Sequence, residues 1–127
     1  MTADTAIERF DTLFPNSLSY SEKLNMLSEL DGRIYKEILS RYEDAPQEFF
    51  GYAEGVPGST VLLVHYPYDG LYIKYLAANT DLINGDTARY LNSSAAFNAA
   101  CEEYAAAQNR THIIRKNHRI NFGGGVK

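Results

Sequence analysis

Three aromatic residues at seven-residue intervals, in a stretch without glycine or proline, constrain the fold of this chain most. Tyr90, Phe97 and Tyr104 recur in this way within residues 86–110. Two turns of an α-helix take about seven residues, so the three rings are expected along one side of a long helix. The alanines between them favour helix and allow a second helix to approach closely. The stretch therefore predicts a long helix that packs against another helix.

The residues before this stretch predict a tight helical hairpin. Gly85, after Asn84, suits the left-handed backbone in which many helices end, and Asp86 is a good N-terminal cap for the next helix. Apolar residues spaced three and four apart predict the helix before this turn. Its face is formed by Tyr68, Leu71, Tyr72, Tyr75, Leu82 and Ile83.

Residues 60–66, TVLLVHY, predict a short strand that leads into the hairpin, because they are apolar and rich in β-branched side chains. Pro67 has no N–H and suits the first turn of a helix, and Asp69 would place negative charge near the positive end of the helix dipole. A single strand needs a partner. The two candidates are a hairpin with the region of Phe49 and a strand from a neighbouring subunit.

Two further helices are predicted near the amino terminus. Ile7, Phe10 and Phe14 lie on one side of a short first helix. Pro15 and Asn16 end it.

The second helix begins with a capping box, in which Ser19 and Glu22 each satisfy a free backbone N–H of the other. We expect it to run from about residue 20 to residue 42. Its buried face is predicted to comprise Leu24, Leu27, Leu30 or its neighbour Asp31, Ile34 and Ile38, widened by Tyr35, Leu39 and Tyr42. Gly32 in the interior costs about 1 kcal/mol relative to alanine, and a close neighbour there would explain it.

Glycines and prolines in residues 43–60 predict a long connection. Phe49, Phe50 and Tyr52 within it are too apolar for a loop surrounded by solvent. We expect these side chains either to tuck under the helices or to form part of a partner-binding surface.

Net charge is divided unevenly along the chain. Residues 1–109 contain all 16 Asp and Glu but only 7 of the 12 Lys and Arg, giving −9, whereas residues 110–127 contain five basic residues and no acid, giving +5. This asymmetry predicts a basic arm that meets an acidic surface, whether nucleic acid, a partner protein or the body of another copy. A solvated tail whose charge only aids solubility is the alternative.

The arm also carries apolar residues, which favour docking over a purely solvated tail. The residues predicted to bind a partner are Arg110, Ile113, Ile114, Arg115, Lys116, Arg119 and Phe122 in the arm, together with Phe49, Phe50 and Tyr52 in the loop. His112 and His118 lie among basic residues, so a solvated or partner-facing role is preferred to a metal pair.

The sequence offers little support for catalysis, a cofactor or a membrane span. The single Cys101 excludes an internal disulfide and a multi-cysteine zinc site, which favours folding in the cytoplasm. No signal peptide or run of about 20 apolar residues is found, which predicts a soluble protein. His65 as a base beside Asp69, with Tyr68 as an acid, lacks any nucleophile elbow, phosphate-binding loop or metal spacing. We therefore expect no enzyme activity and no cofactor.

Three segments carry a resemblance to a known family. They are ELDGRIYKEI, PYDGLYIKYL and FNAACEEY followed by NRTH, within a similarity that covers roughly residues 13–112. In this order, with a loop and a short basic tail, the chain resembles the head-tail connector proteins of long-tailed bacteriophages and prophages. These are also called adaptor or head-completion proteins. Alanines in AAAQNR stand where members more often have a bulky aromatic residue.

The resemblance implies a structural virion protein. Such adaptors are helical subunits that assemble as a homo-oligomeric ring beneath the portal of the filled capsid and extend the DNA channel. It implies the portal protein and a neck or tail completion protein as partners, and a subunit that can be monomeric before assembly. DNA would pass the acidic body without specific binding. The implied location is the neck of the virion, and the host cytoplasm during assembly.

These patterns together predict a mainly α fold: a small bundle of about four helices with a long loop, a short strand or hairpin and a C-terminal arm. Residues 1–109 would form the helical adaptor domain and residues 110–127 the basic arm. A small DNA-binding or regulatory phage protein is the alternative function. The acidic body opposes DNA binding, and no predicted helix has a basic face.

Overall fold

Four α-helices form a small bundle in a computed structural model of the chain, which describes residues 1–45, 48–53 and 55–112. The helices are α1 (Ala3–Leu13), α2 (Tyr20–Glu37), α3 (Leu71–Ile83) and α4 (Thr87–Thr111), and a 3-10 turn (Leu39–Arg41) follows α2. The mainly helical fold predicted from the sequence is confirmed. The second helix is shorter than predicted, since it ends at Glu37 and not near residue 42.

The helix ends follow local rules of capping. Ser19 accepts a hydrogen bond from the Glu22 N–H while Glu22 accepts one from the Ser19 N–H, so the predicted capping box is present. Asp86 caps α4 through the Arg89 N–H, and Gly85 before it has a φ of 75°. The predicted turn between α3 and α4 is confirmed.

The core lies where α3 meets the other helices. α3 makes its most extensive contact with α4 and also packs against α1 and α2. The largest fully buried side chains of the described residues are Tyr42, Tyr72, Phe10, Leu27, Leu62, Leu71, Leu76, Val64 and Asp31. Of the predicted aromatic seam on α4, Tyr104 is buried, and Phe97 packs on Tyr75 with ring centroids 5.0 Å apart.

The predicted strand at residues 60–66 is wrong for the part of the chain that the structure describes. A single antiparallel bridge joins Thr2 to Val61, and the Leu62 N–H donates to the Met1 carbonyl over 3.0 Å. The next two backbone N–H groups, at residues 63 and 64, donate to side chains. Within the described residues, the N–H groups of Leu62, Leu63 and Val64 are thus satisfied inside the chain, without a hairpin near Phe49.

The helix after this segment starts later than predicted. Turns join the carbonyl of His65 to the Tyr68 N–H and the carbonyl of Asp69 to the Tyr72 N–H, and α3 begins only at Leu71. Pro67, which follows a cis peptide bond, therefore lies outside the helix.

Two residues predicted to lie on the apolar face of α3 are largely exposed. Leu82 is 56% and Ile83 59% exposed. The face that α3 buries is formed by Leu71, Tyr72, Tyr75, Leu76, Ala77, Ala78 and Thr80.

The expected close neighbour of Gly32 is absent within the described residues. A Cβ built on Gly32 would meet no atom within 4 Å apart from the backbone of its own helix. The glycine is therefore not required by packing inside one subunit.

Candidate partner interface

A buried carboxylate organises the surface around the long loop. Asp31 on α2 has no exposed area. One oxygen accepts from the Tyr72 hydroxyl over 2.6 Å, and the other accepts from the Leu63 N–H over 3.1 Å and from the Tyr52 hydroxyl. The Tyr72 hydroxyl in turn accepts from the Val64 N–H over 2.8 Å. Asp31 thus ties α2 to α3, to the segment after the loop and to the loop itself.

Burial dominates the electrostatics of this cluster. It raises the pKa of the Asp31 carboxyl, although the hydrogen bonds from Tyr52, Tyr72 and the Leu63 N–H act in the opposite direction. Burial and the adjacent Asp31 also raise the pKa of the Tyr52 and Tyr72 phenols far above the ordinary value. Both phenols therefore stay protonated and donate to the carboxylate.

The three loop aromatic residues predicted to bind a partner differ in their exposure: two pack against the body of the subunit and one is exposed to solvent. The segment formed by residues 48–53 is called the aromatic loop below. The Tyr52 N–H donates to the Ser28 hydroxyl over 2.8 Å, and the Phe49 ring packs edge-on against Tyr52 with centroids 5.2 Å apart. Phe49 also approaches Tyr35 on α2. Phe50, between these anchored residues, is 88% exposed.

A glycine fixes the shape of the aromatic loop. Gly51 has a φ of 90°, in the left-handed region that side chains disfavour. A Cβ at this position would also collide with the Ser28 hydroxyl. Gly51 therefore lets the loop approach α2 closely while Phe50 points into solvent.

A second surface lies where the described part of the chain ends. A groove of about 480 Å³, called the terminal groove below, is lined by Leu39, Tyr42, Asp44, Ala45, Val61, Leu62, Leu63, His65, Tyr66, Tyr68, Tyr104, Gln108 and His112. His112 lies 3.4 Å from the Asp44 carboxylate, and its ring centroid is 5.3 Å from that of Tyr42. Tyr66 on the rim is 86% exposed.

The described residues end at His112, which lines the terminal groove, and the rest of the predicted arm follows in the sequence. Arg110 is exposed and belongs to the last turn of α4, so the helix crosses the predicted boundary between residues 109 and 110. The other arm residues predicted to bind a partner lie outside the described residues: Ile113, Ile114, Arg115, Lys116, Arg119 and Phe122.

The three residues considered for catalysis have different surroundings. His65 is exposed and lines the terminal groove, whereas Asp69 has an oxygen 3.7 Å from the Met1 amino group. Tyr68 packs against Tyr104, with ring centroids 6.0 Å apart. This geometry gives no support to His65 and Asp69 acting as a pair.

Metal-binding and membrane-spanning features were also sought in the described residues. No group of three or more His, Cys, Asp or Glu side chains there is arranged to hold a metal ion. No helix there is both long and apolar enough to cross a membrane. Cys101 is half-buried, and burial raises the pKa of its thiol.

The sequence analysis missed the central role of Asp31. The signal available was an acidic residue inside the apolar stripe of α2, next to Leu30. Acidic side chains are seldom fully buried without partners, so this position indicated a buried hydrogen-bond network. The partners could not be named, because Tyr72 lies 41 residues away along the chain.

Comparisons with known proteins found no match. No protein-family model matches the chain, and neither curated proteins nor solved structures showed a significant similarity to it.

Proposed function

We propose that this chain is a structural protein of a bacteriophage or prophage virion. In this proposal it joins the capsid portal to the neck or tail and extends the DNA channel as a ring. Its partners are the portal protein, a neck or tail completion protein and further copies of itself. It works through protein contacts and not through catalysis, in the virion neck and, during assembly, in the host cytoplasm.

The exposure of Phe50 is the observation that carries the proposal. An exposed phenylalanine on a loop without anchors would be an ordinary surface residue. Phe50, however, lies between Phe49 and Tyr52, both of which are anchored on α2. Because the loop backbone is already held in place, binding through Phe50 does not require the loop to become ordered, and aromatic residues often supply much of the energy of an interface. The aromatic loop therefore suits contact with another protein.

The charge distribution and the sequence resemblance give further support. The body is acidic and the arm is basic, so the arm can bind an acidic protein surface while the body repels passing DNA. The resemblance to head-tail connectors covers roughly residues 13–112, which include α2, α3 and α4 of the bundle. The fold itself is compatible with many functions, so the specific assignment depends on these sequence features.

Co-expression with the portal protein of the same phage or prophage tests the proposal. Native mass spectrometry should find complexes of several copies of the full chain with the portal. A chain ending at His112 keeps every described residue of the body but lacks the rest of the arm, and should form at least about tenfold less complex. Failure of the full chain to bind the portal would contradict the proposed function.

Two comparisons separate the arm from the body. Substituting Arg115, Lys116 and Arg119 by glutamine keeps the chain length and should reproduce most of the loss, because the charges are removed. If the chain ending at His112 bound the portal as well as the full chain, the role of the arm would be wrong.

The alternative function, DNA binding by the isolated chain, is tested by a separate measurement. A small DNA-binding protein should bind duplex DNA on its own, with an affinity that falls steeply as salt rises. The basic arm is the feature that favours this alternative. Salt-sensitive binding by the full chain, lost in the chain ending at His112, would support it over the connector.

A further inference from the structure

The bundle carries an apolar groove on a side that the aromatic loop does not reach. This lateral groove has a volume of about 470 Å³ and lies between α1, α3 and α4. Its lining residues are Arg9, Leu13, Phe14, Gly70, Ile73, Lys74, Ala77, Asp81, Ser93 and Ala96. Leu13 at its edge is 64% exposed. None of the residues of the aromatic loop lines it.

The charged residues of the lateral groove leave it positive. Asp81 accepts a hydrogen bond from Ser93 over 2.9 Å and lies 3.7 Å from Arg89 Nε, so its charge is balanced within the subunit. Arg9 and Lys74 are exposed, and neither forms an ion pair within the described ranges. The groove thus combines an apolar floor with two unbalanced cations.

The aromatic loop has the complementary features. Phe50 protrudes from it and is 88% exposed. Glu48, two residues before, is exposed and forms no ion pair in the part of the chain that the structure describes. The loop therefore combines an exposed apolar side chain with an unbalanced anion, and its backbone is held in place by the anchored Phe49 and Tyr52.

We propose that the aromatic loop of one copy of this chain docks in the lateral groove of the next copy. Phe50 would fill the apolar groove, and Glu48 would lie beside Arg9 and Lys74. Because the two surfaces are different, the contact is heterologous: within a pair, the copy that supplies the loop keeps a free groove, and the copy that supplies the groove keeps a free loop. Such a contact extends to a closed ring or a filament. This proposal specifies the contact between neighbouring subunits. That the contact closes into a ring rests on the proposed function.

Disulfide trapping between two differently labelled chains tests the contact. All chains carry Cys101→Ser, so that no native thiol takes part. One chain carries Ala53→Cys in the aromatic loop, which retains Phe50, and the other carries Ala96→Cys in the lateral groove. Mixed under oxidising conditions, they should give about tenfold more mixed dimer than a control pair.

The control pair replaces Ala96→Cys by Leu91→Cys. Leu91 lies on the same helix and is 62% exposed, but it does not line the groove. Adding Phe50→Ala to the loop chain should reduce trapping to the control level. Phe50 is exposed, so this change should leave the thermal stability of the chain unaltered. Equal yields from the Ala96→Cys and Leu91→Cys pairs would overturn the proposal.

A charge exchange gives an independent readout in the same format. Glu48→Lys in the loop chain, or Lys74→Glu in the groove chain, should lower trapping several-fold, because each creates a repulsive pair. Combining the two changes should recover most of the yield. Failure of this recovery would show that Glu48 and Lys74 do not meet and would overturn the proposed orientation.

The outcome can be separated from that of the proposed function. If trapping stayed at the control level while the full chain still bound the portal, the loop-to-groove contact would be wrong and the connector function would stand. If trapping occurred but the portal were not bound, the self-contact would stand and the connector function would be wrong.

Discussion

Asp31 is a buried carboxyl group that, in the described part of the chain, is held by neutral donors and by no cation. Within the described residues its partners are the Tyr52 and Tyr72 hydroxyls and the Leu63 N–H. Three donors directed at one carboxylate can offset much of the cost of removing its charge from water. Burial outweighs these hydrogen bonds and raises the pKa of the Asp31 carboxyl.

Asp31→Ala should therefore destabilise the fold strongly. It leaves three donors without an acceptor in the interior, and we expect the free energy of unfolding to fall by about 3–5 kcal/mol. Tyr52→Phe removes one hydrogen bond only and should cost about 1 kcal/mol. Denaturant unfolding of both variants measures the difference. An Asp31→Ala variant no less stable than Tyr52→Phe would contradict the role of Asp31 as the centre of the network.

At the scale of the helix, Gly32 weakens α2 without a packing reason within the described residues. Gly32→Ala should raise the free energy of unfolding by up to about 1 kcal/mol, since a Cβ there meets open space and alanine has the higher helix propensity. Thermal unfolding of the isolated chain checks this. A matched change, Gly51→Ala, should lower stability, because its backbone is left-handed and Ser28 occupies the space. A loss of stability in Gly32→Ala would show that the helix cannot accept the side chain.

An ion pair joins α1 to α2. Lys23 is buried, and its ammonium group lies 2.7 Å from the Asp11 carboxylate, whose side chain is 44% exposed. Partial burial acts to raise the pKa of Asp11, but hydrogen bonds from Lys23 and Asn16 lower it overall. The pair should stabilise the bundle above the ordinary pKa of 3.8 and lose this effect as pH falls through the lower pKa of the folded state.

Asp11→Asn should therefore cost about 1 kcal/mol at neutral pH, where Lys23 loses its anionic partner. The cost should shrink as the pH falls below 3.8, because Asp11 of the parent chain becomes protonated first in the unfolded state and then, through its lower pKa, in the folded state. Chemical unfolding at several pH values measures both effects. In a Lys23→Met background the same substitution should have little effect. A cost that did not change with pH would contradict the ion pair as its source.

The elements that follow local rules could be predicted from the sequence. The capping box at Ser19 and Glu22 and the turn at Gly85 and Asp86 depend on neighbouring residues alone, and the structure contains both. The sequence predicted a strand at residues 60–66, where the structure has none. The acceptors of the Leu62 and Leu63 N–H groups, the Met1 carbonyl and the Asp31 carboxylate, lie far away in sequence, so neighbouring residues could not indicate them. Apolar, β-branched residues favour a strand only when a second strand supplies those acceptors.

At the scale of the whole molecule, the candidate interface was only partly predictable. Composition indicated that Phe49, Phe50 and Tyr52 were unusual for a loop, but it could not show which would be buried. Packing on α2 decides this, since Asp31 and Ser28 hold Tyr52 and leave Phe50 outside. The lateral groove could not be predicted either, because residues of three separate helices form it.

The end of the folded body can be located by truncation. The Tyr42 hydroxyl donates to the Asn109 side chain, and His112 packs on Tyr42 beside Asp44. A chain ending at His112 should therefore melt within a few degrees of the full chain. Removing Arg110, Thr111 and His112 as well should lower the melting temperature further, because the ring packing and polar contacts of His112 are worth about 1 kcal/mol, or roughly 4–8 °C in a small domain. Circular dichroism of both truncated chains measures the effect. If the two melted together, the boundary of the body would lie at Asn109 and the contacts of His112 would add nothing to stability.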